Sequence, residues 1–135
     1  MGARLPLVAF NVLLDTDDVA VAQAIARRIR YRDGGLRFVR ALGIYLAEAG
    51  RAQVSINLLN TDKTALHTVF EIVKSEARMY GVSVRSSELI GVLPLSALVT
   101  AAAYYLQLPQ LSVDRVLERG VLDYLTAADR AQEPH

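Results

Sequence analysis

Gln53, Ser55 and Asn57 alternate with Val54, Ile56 and Leu58. A strand over Gln53–Leu59 therefore sends two amides and a hydroxyl to one side and three aliphatic side chains to the other. Amides and hydroxyls donate and accept hydrogen bonds without titrating near neutral pH, so such a row holds and orients a polar ligand rather than moving protons. Asn11, the one polar interruption in the apolar run Leu5–Leu14, is of the same kind. The plainer reading is that one face of an antiparallel sheet is simply solvated. Residues for harder chemistry are scarce. There is no cysteine, which removes disulfides, thiolate nucleophiles and thiolate metal sites and agrees with a cytoplasmic location. The histidines are His67 and His135, too few for most His-based metal sites. His67 precedes Glu71 by one helical turn, the spacing of a surface pair, and no nucleophile accompanies it. No catalytic residue and no metal ligand is assigned.

Basic residues are unevenly spread. Arg27, Arg28, Arg30, Arg32, Arg37 and Arg40 crowd one short region, although the net charge is only +1. A solvated helix end explains such a cluster; a dock for an anionic ligand is the sharper alternative. Nucleic acid is a poor fit, since only Tyr31 and Phe38 interleave and no binding motif is present. Gly34-Gly35 is not a phosphate loop, because it leads into a strand and no Gly-Lys-Ser/Thr follows. The loop Asp15-Thr16-Asp17-Asp18 is acidic and repels phosphate.

These side chains need elements to position them. The 135 residues suit one domain, and 53% hydrophobic content with a mean hydropathy of +0.26 excludes a disordered chain. No apolar run reaches the ~18 residues of a membrane span. Leu5–Leu14 reads as a central strand. Asp15-Thr16-Asp17 caps a helix over Val19–Tyr31, and Asp33-Gly34-Gly35 ends it. A second strand over Leu36–Ala47 turns at Glu48–Arg51 into the Gln53 strand. Asn60, Thr61 and Asp62 offer helix caps before the stripe Leu66, Val69, Phe70, Val73 and Ala77. Gly81 stops that helix. Val82–Leu89 is a fourth strand, with Val82 and Val84 on one side and Ser83, Arg85 and Ser87 on the other. Pro94 opens a helix to Tyr105. Ser112 caps a last short helix that Gly120 ends, and residues 126–135 read as a frayed, flexible tail beyond a domain spanning 1–125.

The order βαββαβ with extra C-terminal helices predicts an α+β ferredoxin-like sandwich, an antiparallel sheet with helices on one face. In that topology the first and third strands are central neighbours, and Asn11 lies beside Gln53, Ser55 and Asn57 on the side the helices leave open.

Three blocks, LVAFNVLLDT, GIYLAEAGRAQVSINLLNTDKTALHTVFE and SSELIGVLPLSALVTAAAYY, resemble in order and spacing the second half of the formiminotransferase domain, found in glutamate formimidoyltransferase and formiminotransferase-cyclodeaminase. The likeness runs from about Gly2 to Leu125. It implies a role in tetrahydrofolate-dependent transfer of the formimino group from N-formimino-L-glutamate, a step of histidine catabolism, with tetrahydrofolate as cosubstrate. It also implies a folate groove between two similar halves, the acid/base histidine belonging to the first. That half is expected as a separate chain or a missing segment, and without it this half is expected to be inactive. Carried over onto matching positions, the folate-binding residues are Arg4, Asn11, Gln53, Ser55 and Asn57, with Leu89, Ile90 and Gly91 bringing backbone to the groove edge. In the light of the resemblance, the arginine cluster's anion would be the folate glutamates. The alternative is a structural or assembly module that dimerises, or docks a partner, through the open sheet face. Neither reading calls for nucleic acid or membrane.

Overall fold

Aliphatic alternation and helical stripes fold as the ferredoxin-like pattern requires. The computed structural model describes residues 7–131, apart from the side chains of Leu122 and Asp123. Four strands, β1 (Val8–Leu14), β2 (Val39–Leu46), β3 (Arg51–Leu58) and β4 (Val84–Ile90), form one sheet in the order β2-β3-β1-β4. Every neighbouring pair is antiparallel. Helices α1 (Val19–Ile29) and α2 (Leu66–Met79) cover one face. Helix α3 (Leu95–Leu106) packs on α2, and α4 (Leu117–Ala131) follows a 3-10 turn at Val113–Arg115.

The core lies between sheet and helices and is wholly aliphatic at its centre. Val12, Leu14, Val54, Ile56 and Leu58 from the sheet meet Ile25 and Ile29 of α1 and Val69 and Val73 of α2, all at 1% exposure or less. Each such side chain contributes about 1.5–3 kcal/mol by leaving water. The closest approach is at Gly43 on β2. A Cβ there would lie 2.3 Å from the Gln23 nitrogen and 2.4 Å from the Ala22 carbonyl carbon, so the α1 backbone rests directly on the strand.

Several boundaries differ from the sequence reading, each for a local reason. Helix α1 stops at Ile29, and Tyr31–Asp33 is a separate 3-10 turn. Asn60 caps a turn instead of α2: its Oδ1 accepts from the Asp62 and Lys63 N–H groups at 3.1 Å, and α2 begins after Ala65 without a side-chain cap. Gly81 does end α2, with φ +68°. The register of β4 slips between Leu13 and Leu14, where Arg85 is the extra residue. That bulge reverses the alternation beyond it, so Ser87 falls opposite buried Val12 and lines a small apolar cavity with Phe10 and Phe70. Ser112 makes no side-chain cap. Gly120 does not end the last helix but lies inside α4, which runs on to Ala131. Residues 132–135 lie outside the described part.

Gly43→Ala is expected to force α1 off the sheet and cost about 2–3 kcal/mol, the upper range for overpacking a rigid contact. Urea unfolding of the two proteins, with an unchanged slope, checks it.

Candidate functional site

The face of the sheet away from α1 and α2 is composed by register. Asn11 of β1 stands opposite Ser55 of β3, Ala9 opposite Asn57, and Leu13 opposite Gln53. On the outer side, β2 sets Arg40 beside Asn57, Leu42 beside Ser55 and Ile44 beside Gln53. On the other side, β4 adds Ile90 beside Ala9, Glu88 beside Asn11 and Ser86 beside Leu13. Directly opposed residues of antiparallel strands share a face, so Asn11, Gln53, Ser55 and Asn57 are brought together.

Their states differ. Gln53 is only 6% exposed despite facing away from the helices, and its Nε2 donates to Ser55 Oγ at 3.2 Å. That bond orients the pair. Asn11 and Asn57 are half-buried, and no hydrogen bond ties either amide to the rest of the described chain. They retain two donors and an acceptor each. Around them Leu13 and Ile44 are half-buried and Leu42 is 58% exposed. The result is a shallow surface of free amides set among aliphatic side chains, flanked by the Arg40 cation on one side and the Glu88 carboxylate on the other. Of these two flanking charges, Arg40 belongs to the arginine cluster expected to dock an anion, and Glu88 is new. Arg40 was visible within the arginine cluster and Glu88 within SSELIGVLP, but only the cross-strand register assigns them to this face.

The other expected site residues separate. Ile90 shares the open face. Leu89 stands opposite Phe10 and belongs to the helix side, so its side chain is not part of the row and only its backbone lies at the sheet edge. Gly91 follows with φ +80° and open space where a Cβ would be. Arg4 lies outside the described residues. At the end of the sheet Asp15 pairs with Arg51 and Arg85, each at 3.3 Å, which neutralises part of the acidic loop.

His67 is remote from the row, in the helix layer. Its ring stacks on Tyr104 with centroids 4.3 Å apart, and its buried Nδ1 has no hydrogen-bond partner. The pair with Glu71 suggested by spacing does not form. Glu71 instead accepts from the Tyr105 hydroxyl at 2.9 Å and pairs with Lys74. Partial burial, then the Glu71 carboxylate, pushes the Tyr105 phenol up to about 12. Among the described residues no group of three or more His, Asp or Glu is arranged to hold a metal ion, and no helix is long and apolar enough to cross a membrane.

A phenol whose folded-state pKa lies above its unfolded value stabilises the fold fully below pH 10 and loses that contribution as pH rises toward 12. Alkaline titration of phenolate absorbance is expected to show one late-ionising tyrosine. Tyr105→Phe is expected to abolish that phase and flatten the fall in stability above pH 10.

The same surface can be set against known proteins. The formiminotransferase domain family model matches residues 9–122. A glutamate formimidoyltransferase of Streptococcus pyogenes serotype M1 is 46% identical over 123 residues, 90% of this chain and 41% of the relative. One from Thermoplasma acidophilum is 42% identical, covering 88% and 39%. The formimidoyltransferase-cyclodeaminase of Mus musculus is 46% identical over 109 residues, 77% of this chain and 20% of the relative. The chain thus spans about two fifths of the length of the formimidoyltransferases and one fifth of the bifunctional protein. With the match covering most of the chain, including all four strands, this protein belongs to the formiminotransferase domain family.

Proposed function

We propose that this chain forms the folate-binding half of a formiminotransferase, which moves the formimino group from N-formimino-L-glutamate to tetrahydrofolate. The observation that carries the reading is the convergence of Asn11, Gln53, Ser55 and Asn57 on the face the helices leave bare. The residues suit the cosubstrate. A pterin and its benzoyl amide present flat rings edged with donors and acceptors, and the unengaged amides of Asn11 and Asn57 lie among Leu13, Ile44 and Leu42. Tetrahydrofolate, when bound, supplies the nitrogen that receives the formimino carbon. This chain's groups hold and orient it, which is how positioning lowers a barrier.

Proton transfer needs another source. Within the described residues the one histidine, His67, sits in the helix layer against Tyr104. The remaining length of the relatives is where an acid/base group and an opposing groove wall are expected. Exposed Leu42 and Ile90 on the same face favour its being covered by another polypeptide. That also supports the second reading, an assembly module that dimerises or docks a partner there. Cytoplasmic histidine catabolism is the setting the first reading implies.

Isothermal titration with folinic acid, of this chain alone and mixed with a separately expressed N-terminal half from a relative, tests the assignment. Heat is expected in at least the mixed sample; none in either excludes folate. Asn57→Leu is expected to weaken folinic acid binding about fivefold to tenfold, the worth of one or two hydrogen bonds, with thermal stability retained. Equal affinity would take Asn57 out of the site. Self-association by sedimentation without any folate heat would favour the assembly reading.

A further inference from the structure

The outer edge of β2 carries a second feature, which adjoins the amide-bearing face at Arg40 and Leu42. A cavity of about 660 Å³ opens there, and Arg30, Arg32, Arg37 and Arg40 line it. Tyr31 and Phe38 supply aromatic surface, and none of Asn11, Gln53, Ser55 or Asn57 lines it. The arginines come from three short pieces of backbone: the end of α1, the 3-10 turn at Tyr31–Asp33 and the entry to β2.

Charge in this pocket is not balanced from within. Asp33 is engaged by Arg30, whose hydrogen bond holds its carboxyl below the usual carboxylate range. Arg30 also reaches the Ala41 carbonyl at 3.4 Å, and is thereby fixed against the strand edge. Arg32, Arg37 and Arg40 take part in none of the ion pairs among the described residues. Three arginines outside any of those ion pairs line one cavity, where an oxyanion would relieve their mutual repulsion and match their forked donors.

The backbone at the cavity wall is strained. Phe38 has φ +64°, a conformation costing a bulky residue roughly 1–2 kcal/mol. It is held there from both sides: the Leu59 N–H donates to the Phe38 carbonyl at 2.8 Å, and the Thr64 hydroxyl donates to the Arg37 carbonyl. In this arrangement the Arg37 guanidinium lies 5.2 Å over the Phe38 ring. Asn or Gly would occupy that position without the cost. A flat apolar surface under a cation is what the phenylalanine provides in exchange.

We propose that this pocket binds a small organic anion bearing two or more oxyanion groups and a flat ring, the oxyanions on Arg32, Arg37 and Arg40 and the ring on Phe38 and Tyr31. Carboxylates and phosphates share the geometry the guanidinium forks recognise, so the class includes aromatic polycarboxylates and nucleotides. The site shares Arg40 and Leu42 with the amide-bearing face but none of its amides.

Calorimetric titration of the chain with four probes tests it: trimesate and ATP, which carry rings, and tricarballylate and pyrophosphate, which do not. Trimesate is expected to bind at least fivefold more tightly than tricarballylate if the natural ligand is a carboxylate (~1 kcal/mol for the ring contact). ATP is expected to exceed pyrophosphate similarly if it is a phosphate. Binding is expected to weaken between ~50 and ~300 mM salt. The double variant Arg32→Gln, Arg37→Gln is expected to lose at least tenfold. Phe38→Asn, which relaxes the backbone, is expected to keep or raise the melting temperature while abolishing the preference for ring-bearing probes. Asn11→Leu, an open-face change on β1 with β3 between it and β2, is expected to change none of these affinities, so this site and the folate surface fail or survive separately. Absence of heat with all four probes, unchanged affinity in the arginine double variant, or equal binding of ringed and ringless partners would overturn the proposal.

Discussion

The pairing of β1 with β3 is the constraint on which the rest depends. Their antiparallel register, Val12 opposite Val54 and Asn11 opposite Ser55, decides at once what is buried and what is offered. Because successive strand residues point to opposite faces, a slip of one position would turn Asn11 into the aliphatic core and Val12 out to solvent. Burying an unpartnered amide costs about 1–3 kcal/mol, and exposing a buried valine forfeits a comparable amount. The hydrophobic core therefore holds the polar face in register. The groups that could meet a ligand are fixed by residues that never touch it.

A second constraint is the contact between α1 and β2 at Gly43, where helix backbone and strand backbone meet without an intervening side chain. It seats the N-terminal half of α1 on the strand, while at the other end of the helix, where Arg27 and Arg28 form the last turn, Gly35 comes as close to the Ile29 backbone. From there the 3-10 turn and the left-handed residue Phe38 return the chain to the edge of β2. The arginine pocket is thus a consequence of close helix–sheet packing plus one strained residue. The opposite end of the sheet shows a different electrostatic solution, with Asp15 shared between Arg51 and Arg85. One carboxylate serves two cations there, while at the β2 edge Asp33 pairs with Arg30 alone.

Chemistry in this chain is divided by layer. Between the helices, His67, Tyr104, Tyr105 and Glu71 form a packed cluster of ring contacts and one hydrogen bond. Those contacts tie α3 to α2. The open face carries amides, a hydroxyl, Arg40 and Glu88, and no histidine among the described residues. A surface that is rich in donors but poor in groups titrating near neutrality is suited to recognition.

Much of this was legible in the amino-acid sequence. Strand alternation at Gln53–Leu59, helical stripes and the βαββαβ order determined the ferredoxin-like fold, and with it the side on which Asn11 and the amide row lie. These are local periodicities, set by backbone geometry and the removal of aliphatic side chains from water, so a linear text carries them. Three-dimensional packing decided what periodicity does not encode. The bulge at Arg85 reversed Ser87 and turned Leu89 to the helix side, because a single extra residue changes the parity of everything after it. Glu71 chose Tyr105, 34 residues away, over His67 one turn back, because two packed helices presented a better donor. The arginines were already clustered in the sequence, but setting them around one cavity required the end of α1, a 3-10 turn and an edge strand to meet. Contacts between residues distant in sequence depend on how whole elements dock, and no local pattern records that.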